Sequence, residues 1–554
     1  MHILGISCFY HESAAALIRD GEIVAASSEE RFSRKKHDSG FPEDSIKFCL
    51  EQARIHASDL DYVIFYEKPF RKFERNLMLS LKFFPFSYSF FIDSMKNFLT
   101  EKLWVKSIII SKLNVNSNKV FFVPHHLSHA AASYYPSPFK EAAFLTLDGV
   151  GEWTSGLYGY ADANKLYPKG EIKFPHSVGL LYAAFTAYLG FEVNDGEYKV
   201  MGMAAYGKPV HVSKVKKLYK QAKDGSIKLN LEYFVFHKSS KSMYSKKFTR
   251  LFKNLDKFDI AASLQKCTEE IVFNMLNYIA KKTGKKNLVM GGGVALNSVM
   301  NGKIVGKTPF KNVFVFPAAG DDGGSVGAAL YFYHHVLGFK KRKELDNVFL
   351  GKDSREEDIK NLIKKYSLRM KKMTERELFE FISTKISEGK VVGWFEGRAE
   401  FGPRALGHRS ILADPRNPKM KDIVNAKIKF REEFRPFAPV VLAEHANKYF
   451  NITSNILSPF MLGAFEAKLP AKKNSPATVH EDGTSRIQIV DKNYPGKYRK
   501  LLHAFYKKTG VPVLLNTSFN VKGEPIVNTP DDAYKTFISS GIDILVIENY
   551  VLEK

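Results

Sequence analysis

The run His125-His126-Leu127-Ser128-His129 has the spacing best suited to chemistry in this chain. Residues four apart lie one turn apart on one face of a helix, so His125 and His129 aim two imidazoles at a common point. Asp148 ends the apolar segment Ala142 to Leu147 and would add an oxygen from the carboxyl end of a strand. Two nitrogens and one oxygen form a metal-ligand set with room left for a substrate. Taken alone, an i,i+4 His pair is more often a capped or core pair, so the reading leans on its company. A zinc protease would place Glu after the first His, and His126 stands there instead.

Three further stretches have the composition of ligand loops. Gly291-Gly292-Gly293-Val294-Ala295-Leu296-Asn297 follows a short apolar strand and is expected to open a helix near Ala295. Glycines let a backbone approach a ligand closely, and a helix N-terminus favours an anion, which suits a nucleotide. The stretch is neither a phosphate-binding P-loop nor a GxGxxG fingerprint. Asp321 lies in the Gly-rich loop Gly320-Asp321-Asp322-Gly323-Gly324, where it would complete a metal shell or orient phosphates. Gly196 precedes Glu197-Tyr198-Lys199, and Lys199 reads equally as an anion ligand or a solvated helix residue.

The carboxyl-terminal part has another character. Arg398, Arg404 and Arg409 sit among the glycines of Gly397 to Ser410, followed by Lys427, Lys429, Arg431 and Arg435. Arg486 lies in His480 to Gln488, and Asn516-Thr517-Ser518-Phe519-Asn520 follows an apolar strand over 511–515. Guanidinium forks bind phosphate and carboxylate oxygens in pairs, with Ser or backbone N–H filling the remaining acceptors. Surface salt bridges are the ordinary fate of arginines, but these stand among Gly, Pro and aromatic residues rather than in charge runs.

The elements that must position these groups alternate strand, glycine turn and helix. Ile3–Ser7, Ala14–Ile18 and Glu22–Ala26 read as strands, with a turn at Asp20-Gly21. Val313–Phe316 is a further strand, followed by a helix from Ser325. This is α/β organisation, with functional groups expected at strand carboxyl ends. A polar, charged stretch from Lys340 to Asp358 places a domain boundary near 340–370. Beyond it, Val391–Phe395, Val511–Leu515 and Ile542–Ile547 form a second α/β unit, and Thr529-Pro530 caps a helix.

The 554 residues are too many for one core. A hydrophobic share of 45% fits a globular protein. The three cysteines, Cys8, Cys49 and Cys267, are too dispersed for a disulfide framework or a Cys-rich zinc site. The chain opens on a strand, without the pattern of a signal peptide. The Phe-rich region from Leu77 to Ile110 is interrupted by Lys82, Asp93, Lys96, Glu101, Lys102 and Lys106, so it reads as an amphipathic helical insertion rather than a membrane span. A cytoplasmic enzyme is the expectation. The net charge of +25 admits nucleic acid or phosphorylated partners, but the lysines are spread along the whole chain without a basic tail.

Taken in order, these stretches resemble the O-carbamoyltransferases of antibiotic and nodulation-factor biosynthesis. The resemblance covers essentially the whole chain. It is carried by the His11 loop, Glu29-Glu30-Arg31 with Lys36-His37 and Phe41-Pro42, the HHLSH block, GEYKVMG from Gly196, GGGVALN, GDDGG, GPRALGHRS, FRPFAP, HEDGTSR and LNTSFN. The resemblance implies an α/β protein with an actin/Hsp70-like, two-lobed domain over 1–355, in the version used by tRNA threonylcarbamoyl transferases (Kae1-like). A companion α/β domain over 365–554 would be of the kind that makes the acyl-adenylate in tRNA threonylcarbamoylation (YrdC-like). It further implies that carbamoyl phosphate and ATP, with Mg²⁺, give carbamoyl-adenylate in the second domain. The carbamoyl group then passes to an acceptor hydroxyl, of a sugar or natural product, at a metal in the first.

Carried over by motif, the metal ligands are His125, His129, Asp148 and Asp321, with Asp321 preferred over Asp322. The metal is expected to be Fe(II), with Zn or Mn as alternatives. Gly196, Lys199, Gly292, Gly293, Asn297, Asn516 and Asn520 fall in the nucleotide set. His11 and Lys36 match positions near the acceptor. Arg404, Lys429, Arg435, Arg486 and Ser518 match the carbamoyl-phosphate and adenylate-forming site. Adenylation supplies the leaving group that carbamate lacks, and an imidazole such as His11 would take the acceptor proton. A sugar or acyl kinase of the same superfold would hold Mg²⁺ through carboxylates and water, which the His pair disfavours. A tRNA-modifying or RNA-binding protein of the threonylcarbamoyl type is the alternative from another class. It lacks a visible RNA-binding motif, and both catalytic parts lie in one chain. The oligomeric state is open, a dimer included.

Overall fold

The computed structural model describes residues 1–432, 434–454 and 456–554, with the side chain of Asn97 excepted. The chain separates into two compact units. The first comprises Met1–Glu29, Ser39–Asn297 and Ile304–Asp346; the second comprises Asn347–Lys554 together with Glu30–Asp38 and Ser298–Lys303.

The central strands of the first unit, His2–Ser7, Ala14–Arg19 and Glu141–Leu147, are near-continuous buried apolar runs, as strands covered on both faces are, whereas the edge strand Lys165–Lys173 is largely exposed. The first sheet holds His2–Ser7 (β1), Ala14–Arg19 (β2), Glu22–Ser28 (β3), Tyr62–Phe65 (β4) and Val120–Phe122 (β5) in the order β3-β2-β1-β4-β5. β1, β2 and β3 pair antiparallel, while β4 and β5 add parallel. Helices Pro69–Lys82 (α1) and Tyr88–Thr100 (α2) form the expected helical insertion between β4 and β5. Helix His125–Tyr134 (α3) follows β5. The second sheet holds Glu141–Leu147 (β6), Thr154–Asp162 (β7), Lys165–Lys173 (β8), Asn287–Gly291 (β9) and Asn312–Val315 (β10), in the order β8-β7-β6-β9-β10. β6, β7 and β8 pair antiparallel, and β9 and β10 add parallel. The two sheets thus share one order and one set of directions, and a helix follows the fifth strand of each: α3 in the first and Gly323–Leu330 in the second. This duplicated plan is the actin/Hsp70-like one.

Helix Lys257–Thr283 (α4) begins at Asp256, whose carboxylate accepts from the N–H groups of Phe258 and Asp259 at 2.9 and 3.0 Å, and ends at the left-handed Gly284. Gly323–Leu330 becomes α5. α3 and α5 pack with almost no side chain between them: a Cβ on Gly327 would stand 1.9 Å from the Ser128 carbonyl oxygen. Gly5 plays the same part on β1, where a Cβ would stand 1.8 Å from the Ser325 oxygen. These approaches bring the starts of both helices to the ends of β1 and β6.

The second unit is built on an eight-stranded mixed sheet. Its strands are Lys371–Lys372 (β11), Val392–Phe395 (β12), Arg409–Ala413 (β13), Ala438–Leu442 (β14), Gln488–Val490 (β15), Val513–Ser518 (β16), Ile544–Ile547 (β17) and Tyr550–Glu553 (β18). The order is β11-β18-β17-β12-β13-β16-β14-β15. Alternate residues face opposite cores: Trp394, Leu412 and Val546 pack with helix Tyr498–Thr509, and Phe395, Ile411 and Leu545 with helix Pro530–Ile538. Thr529 caps the latter helix as expected, accepting from the N–H of Asp532 at 3.2 Å.

Two local expectations need correction. No full helix follows the glycines at 291–293; a 3₁₀ turn, Gly293–Leu296, gives way to a single turn, Ser298–Asn301. Asn297 breaks the helix because its backbone turns to ψ 87° while its amide exchanges two hydrogen bonds, at 2.9 and 3.2 Å, with Gln265 of α4. The strand expected over 511–515 runs from Val513 to Ser518, which puts Asn516 and Ser518 on it rather than after it.

The α3–α5 approach is testable. Gly327→Ala is expected to destabilise the protein by about 1–3 kcal/mol or more through overpacking, read by urea denaturation. Gly306→Ala, with nothing within 4 Å of its added Cβ, should leave the midpoint unchanged or raise it. Equal midpoints for the two variants would contradict this packing.

Candidate active site

In the first unit, four groups from three parts of the chain meet. His125 and His129 come from α3, Asp148 from the residue after β6, and Asp321 from the loop before α5. His125 Nε2 lies 3.1 Å from His129 Nε2, and each lies 3.2 Å from Asp148 Oδ2. Asp321 Oδ1 lies 3.7 Å from His125 Nε2 and 3.5 Å from His129 Nε2. One ligand atom from each residue lies within 4.8 Å of the others. Around an ion held at about 2.1 Å, the edges of a ligand tetrahedron are about 3.4 Å. The observed spacings straddle that length, so the residues present fit a divalent metal. Asp322 points elsewhere: it caps α5 by accepting from the Gly323 N–H at 2.9 Å.

The charge balance agrees with that fit. His125, His129 and Asp321 are 1–2% exposed. Burial disfavours a charged His129, yet the Asp148 and Asp321 carboxylates push it up to about 9. Burial likewise works against ionised Asp148, but hydrogen bonds with His125 and His129 hold it well below the usual carboxylate range. Two carboxylates buried beside two imidazoles thus favour a cation at this point.

His126, between the two, has a different job. Its Nε2 lies 2.9 Å from the Thr154 carbonyl, which can only accept, so Nε2 carries the proton. Nδ1 then accepts the Thr146 hydroxyl at 2.8 Å, and burial keeps the ring neutral. It ties α3 to β6 and β7. Glu152 does similar work, accepting the His125 N–H at 3.0 Å and the Lys68 N–H at 2.9 Å, which fixes the starts of α3 and α1 together. Sequence reasoning missed Glu152; a lone Glu in a loop carries no motif.

The remaining first-unit candidates are placed as follows. His11 Nε2 stands 4.0 Å from Asp321 Oδ2. Gly292 has φ 84°, and a Cβ there would meet the Leu147 oxygen at 2.3 Å, so the glycine is required by the fold itself. A Cβ on Gly293 would be 3.3 Å from Asp148 Oδ1, which puts that glycine beside the cluster. Gly196 starts helix Glu197–Met203, and Lys199 pairs with Asp195 at 3.3 Å. Lys36 falls in the segment Glu30–Asp38, which groups with the second unit rather than with His11.

In the second unit the expected cationic residues converge. The Arg486 cation is opposed by burial and then by Arg404, Arg431 and Arg435. Lys429 is opposed by burial and then by Arg431 and Arg435. Lys429 Nζ donates to the Ser518 and Asn520 carbonyls and to Asn520 Oδ1, the last two at 2.8 and 2.9 Å. The Ser518 hydroxyl donates to Asn520 Oδ1 at 2.7 Å. Like charges gathered out of water favour an anion. Arg431, read in the sequence among these cations but not carried over by motif, belongs with them. Asn516 lies apart, its amide donating to Gln488 Oε1 at 2.9 Å and to the Ala405 carbonyl at 3.2 Å, so that NH₂ is spent within the fold.

A buried carboxylate shapes the arginine loop. Glu400 Oε1 accepts from the N–H groups of Leu406, His408 and Arg409 at 2.7, 2.9 and 3.2 Å, which fixes the turn carrying Arg404. Arg409 is structural: fully buried, it lies 3.5 Å from the Phe395 ring centroid and donates to the carbonyls of Glu396, Gly397, His408 and Lys352.

Comparison with known proteins now bears on this arrangement. The family model described as Carbamoyltransferase N-terminus matches residues 2–330, and Carbamoyltransferase C-terminus matches residues 383–554. The chain belongs to the carbamoyltransferase family. It is therefore a transferase acting on the carbamoyl group. The protein sll1178 of Synechocystis sp. is 44% identical, over 100% of this chain and 97% of its own length. Nodulation protein NolNO of Sinorhizobium fredii is 36% identical, over 99% of this chain and 79% of its own. Nodulation protein U of Rhizobium fredii is 28% identical, over 93% and 89%. Among the described residues no helix is long and apolar enough to cross a membrane.

Glu396, at the start of the arginine loop of this carbamoyltransferase, accepts the N–H groups of Lys497 and Tyr498 at 2.9 and 3.0 Å. Burial pushes its carboxyl up to about 7. The folded state holds this proton more tightly than the unfolded chain. Its stabilisation is therefore full below the ordinary Glu range and is lost as pH rises through about 7. The loss should reach at most about 1.4 kcal/mol per pH unit over that window. Glu396→Gln is expected to remove this component from urea midpoints measured between about pH 5 and pH 8; an unchanged pH dependence would contradict it.

Proposed function

We propose that this carbamoyltransferase is an ATP-dependent O-carbamoyltransferase that works in two stages. In the second unit, the cations Arg404, Lys429, Arg431, Arg435 and Arg486, with Ser518, bind carbamoyl phosphate and the ATP phosphates. Carbamoyl phosphate and water give carbamate and inorganic phosphate. A carbamate oxygen then attacks the α-phosphorus of ATP, and pyrophosphate leaves with the electron pair of the broken P–O bond. The observation that carries this reading is the gathering of Arg404, Arg431, Arg435 and Arg486 about one place, where their mutual repulsion is relieved by polyanionic reactants.

The carbamoyl-adenylate is used in the first unit. The acceptor hydroxyl oxygen forms a bond to the carbamoyl carbon, and the bond from that carbon to the phosphate-bridging oxygen breaks. AMP leaves with that oxygen, and the hydroxyl proton passes to a base, for which His11 is the candidate. His125, His129, Asp148 and Asp321 would hold the divalent metal, Fe(II) or its alternatives Zn and Mn, which supplies Lewis acidity when bound. Gly196, Lys199, Gly293 and Asn297 are assigned to the nucleotide part, a reading supported by Gly293 lying beside Asp148.

The test is product analysis with carbamoyl phosphate, Mg²⁺ and ATP. AMP and pyrophosphate are expected; release of ADP and phosphate alone would refute adenylation. Lys429→Met should lower carbamoyl-phosphate-dependent ATP–pyrophosphate exchange at least about 100-fold. Asp148→Asn should retain exchange but lose bound metal, measured by elemental analysis, and lose transfer by about 100-fold or more. Loss of exchange in both variants to the same degree would contradict the division of labour.

A further inference from the structure

Among the described residues, eighteen large apolar side chains stand exposed, and nine of them lie between Phe70 and Trp104. A single exposed hydrophobe needs no explanation, but half of that set within one short insertion does. The nine are not scattered around its helices. With about 100° of rotation per residue, Phe70, Met78 and Leu81 of α1 fall within a sector of about 80°, and Tyr88, Ile92 and Leu99 of α2 within about 40°. The buried residues of α1, among them Lys72, Arg75, Asn76 and Leu79, take the opposite side.

At the turn joining α1 to α2, Phe84 and Phe86 are 70% and 79% exposed. The polar groups of this turn are already paired. The N–H groups of Ser87 and Tyr88 donate to the Phe83 and Pro85 carbonyls at 3.2 Å each, and the Ser87 hydroxyl donates to the Ser80 carbonyl at 2.5 Å. Moving the turn out of water therefore leaves these donors satisfied. Trp104, also exposed, donates its indole N–H to the Leu99 carbonyl at 2.8 Å. The insertion has a firm base: Arg75 donates to the Gly151 and Glu152 carbonyls at 2.6 Å each, which fixes α1 to the loop after Asp148.

Cations border the apolar stripes. By the same rotation, exposed Arg71 and Lys82 edge the stripe of α1 and exposed Lys96 edges that of α2, while Lys106 follows Trp104. The acids of the insertion are Glu74, Asp93 and Glu101, and Asp93 accepts the Ser240 hydroxyl at 2.5 Å. That bond brings in the neighbouring segment from Phe234 to Lys246, which carries Lys238, Lys241 and Lys246 and no acid. Lys82 and Lys238 meet at the turn. His237 packs edge-on against Phe83 with ring centroids 4.8 Å apart, and burial, then Lys238 and Lys82, push its imidazole down to about 4.

Helices with Phe, Leu and Trp outward and lysines along the edge suit the headgroup region of a bilayer, lying in its plane. At 14 and 13 residues, α1 and α2 are too short to cross one. A second copy of this chain would bring the same face with it, setting Arg71, Lys82 and Lys96 against like charge in a protein of net charge +25. We propose that the outer face of the insertion docks on a phospholipid bilayer bearing acidic headgroups, with Phe84 and Phe86 entering the acyl boundary and the bordering cations meeting the phosphates. This interaction surface lies beyond the carbamoyl chemistry and stands independently of it.

The experiment sediments the full-length protein with vesicles of phosphatidylcholine, alone or mixed with phosphatidylglycerol. Binding to the mixed vesicles should be at least about 10-fold tighter than to neutral ones and should weaken as salt is raised. Phe84→Ser combined with Phe86→Ser should lower that binding at least about 10-fold. The same pair should leave the urea midpoint unchanged, since both rings are already exposed in the free protein. Lys82→Glu combined with Lys96→Glu should lower binding to the mixed vesicles only. Trp104 emission should move to shorter wavelength on mixed vesicles, a shift that Trp104→Phe should abolish. Protein left in the supernatant with both compositions, equal binding to both, or binding that survives the two Phe substitutions would each overturn the proposal. A concentration-dependent dimer that the two Phe substitutions abolish, in protein that does not bind vesicles, would overturn it and assign the face to a second copy.

Discussion

Charge of one sign gathered largely out of water is the constraint on which both units are organised. In the first, two carboxylates and two imidazoles face one point, and opposite charge must come from a proton or a metal. In the second, four guanidinium groups and a buried ammonium act on one another, with Glu432 beside Arg435 at 3.6 Å, and the excess of positive charge suits an anion. Taking such charges out of water costs several kcal/mol per ion. The folds around them are correspondingly stiff: Glu152 pins two helix starts, His126 pins the His helix to its sheet, and Glu400 threads three backbone N–H groups.

The duplicated topology explains how the first cluster is assembled. Each half-sheet contributes a loop after its first strand, bearing His11 in one half and Asp148 in the other. Each contributes the start of the helix after its fifth strand, bearing His125 and His129 in one and following Asp321 in the other. Groups separated by almost 200 residues in sequence, such as His125 and Asp321, therefore meet because equivalent positions of two like halves converge. Gly327 and Gly5 matter more than any side chain there, since they set the distance at which α3, α5 and β1 pass.

Much of this was legible in the sequence because periodicity and turn chemistry are local. The i,i+4 pair on α3, the Thr529 cap and the alternation of strand and helix all depend on nearest neighbours. The gathering of cations was legible as composition, for Arg404, Lys429, Arg435 and Arg486 stand among glycines and aromatics. What escaped was tertiary. Glu152 and Glu400 look like ordinary surface charges until the backbone groups around them are placed. The helix expected after Gly293 failed because Asn297 found a better partner in Gln265, 32 residues earlier. Nothing local assigned the segments Glu30–Asp38 and Ser298–Lys303 to the second unit. Of the insertion, its helical character was readable; that its outer side leaves aromatic rings uncovered was not.

The central claim is that one activated carbamoyl group, joined to AMP through a carbamate oxygen, links the chemistry of the two units. Isotope transfer tests it most directly. Carbamoyl phosphate labelled with ¹⁸O in the carbonyl group would be turned over with ATP and an accepted hydroxyl compound, and the released AMP analysed by mass. The account predicts that part of the label appears in the AMP phosphate, because the carbamate oxygen that attacked phosphorus departs with it. AMP free of label, with all of the ¹⁸O retained in the carbamoylated product, would contradict it.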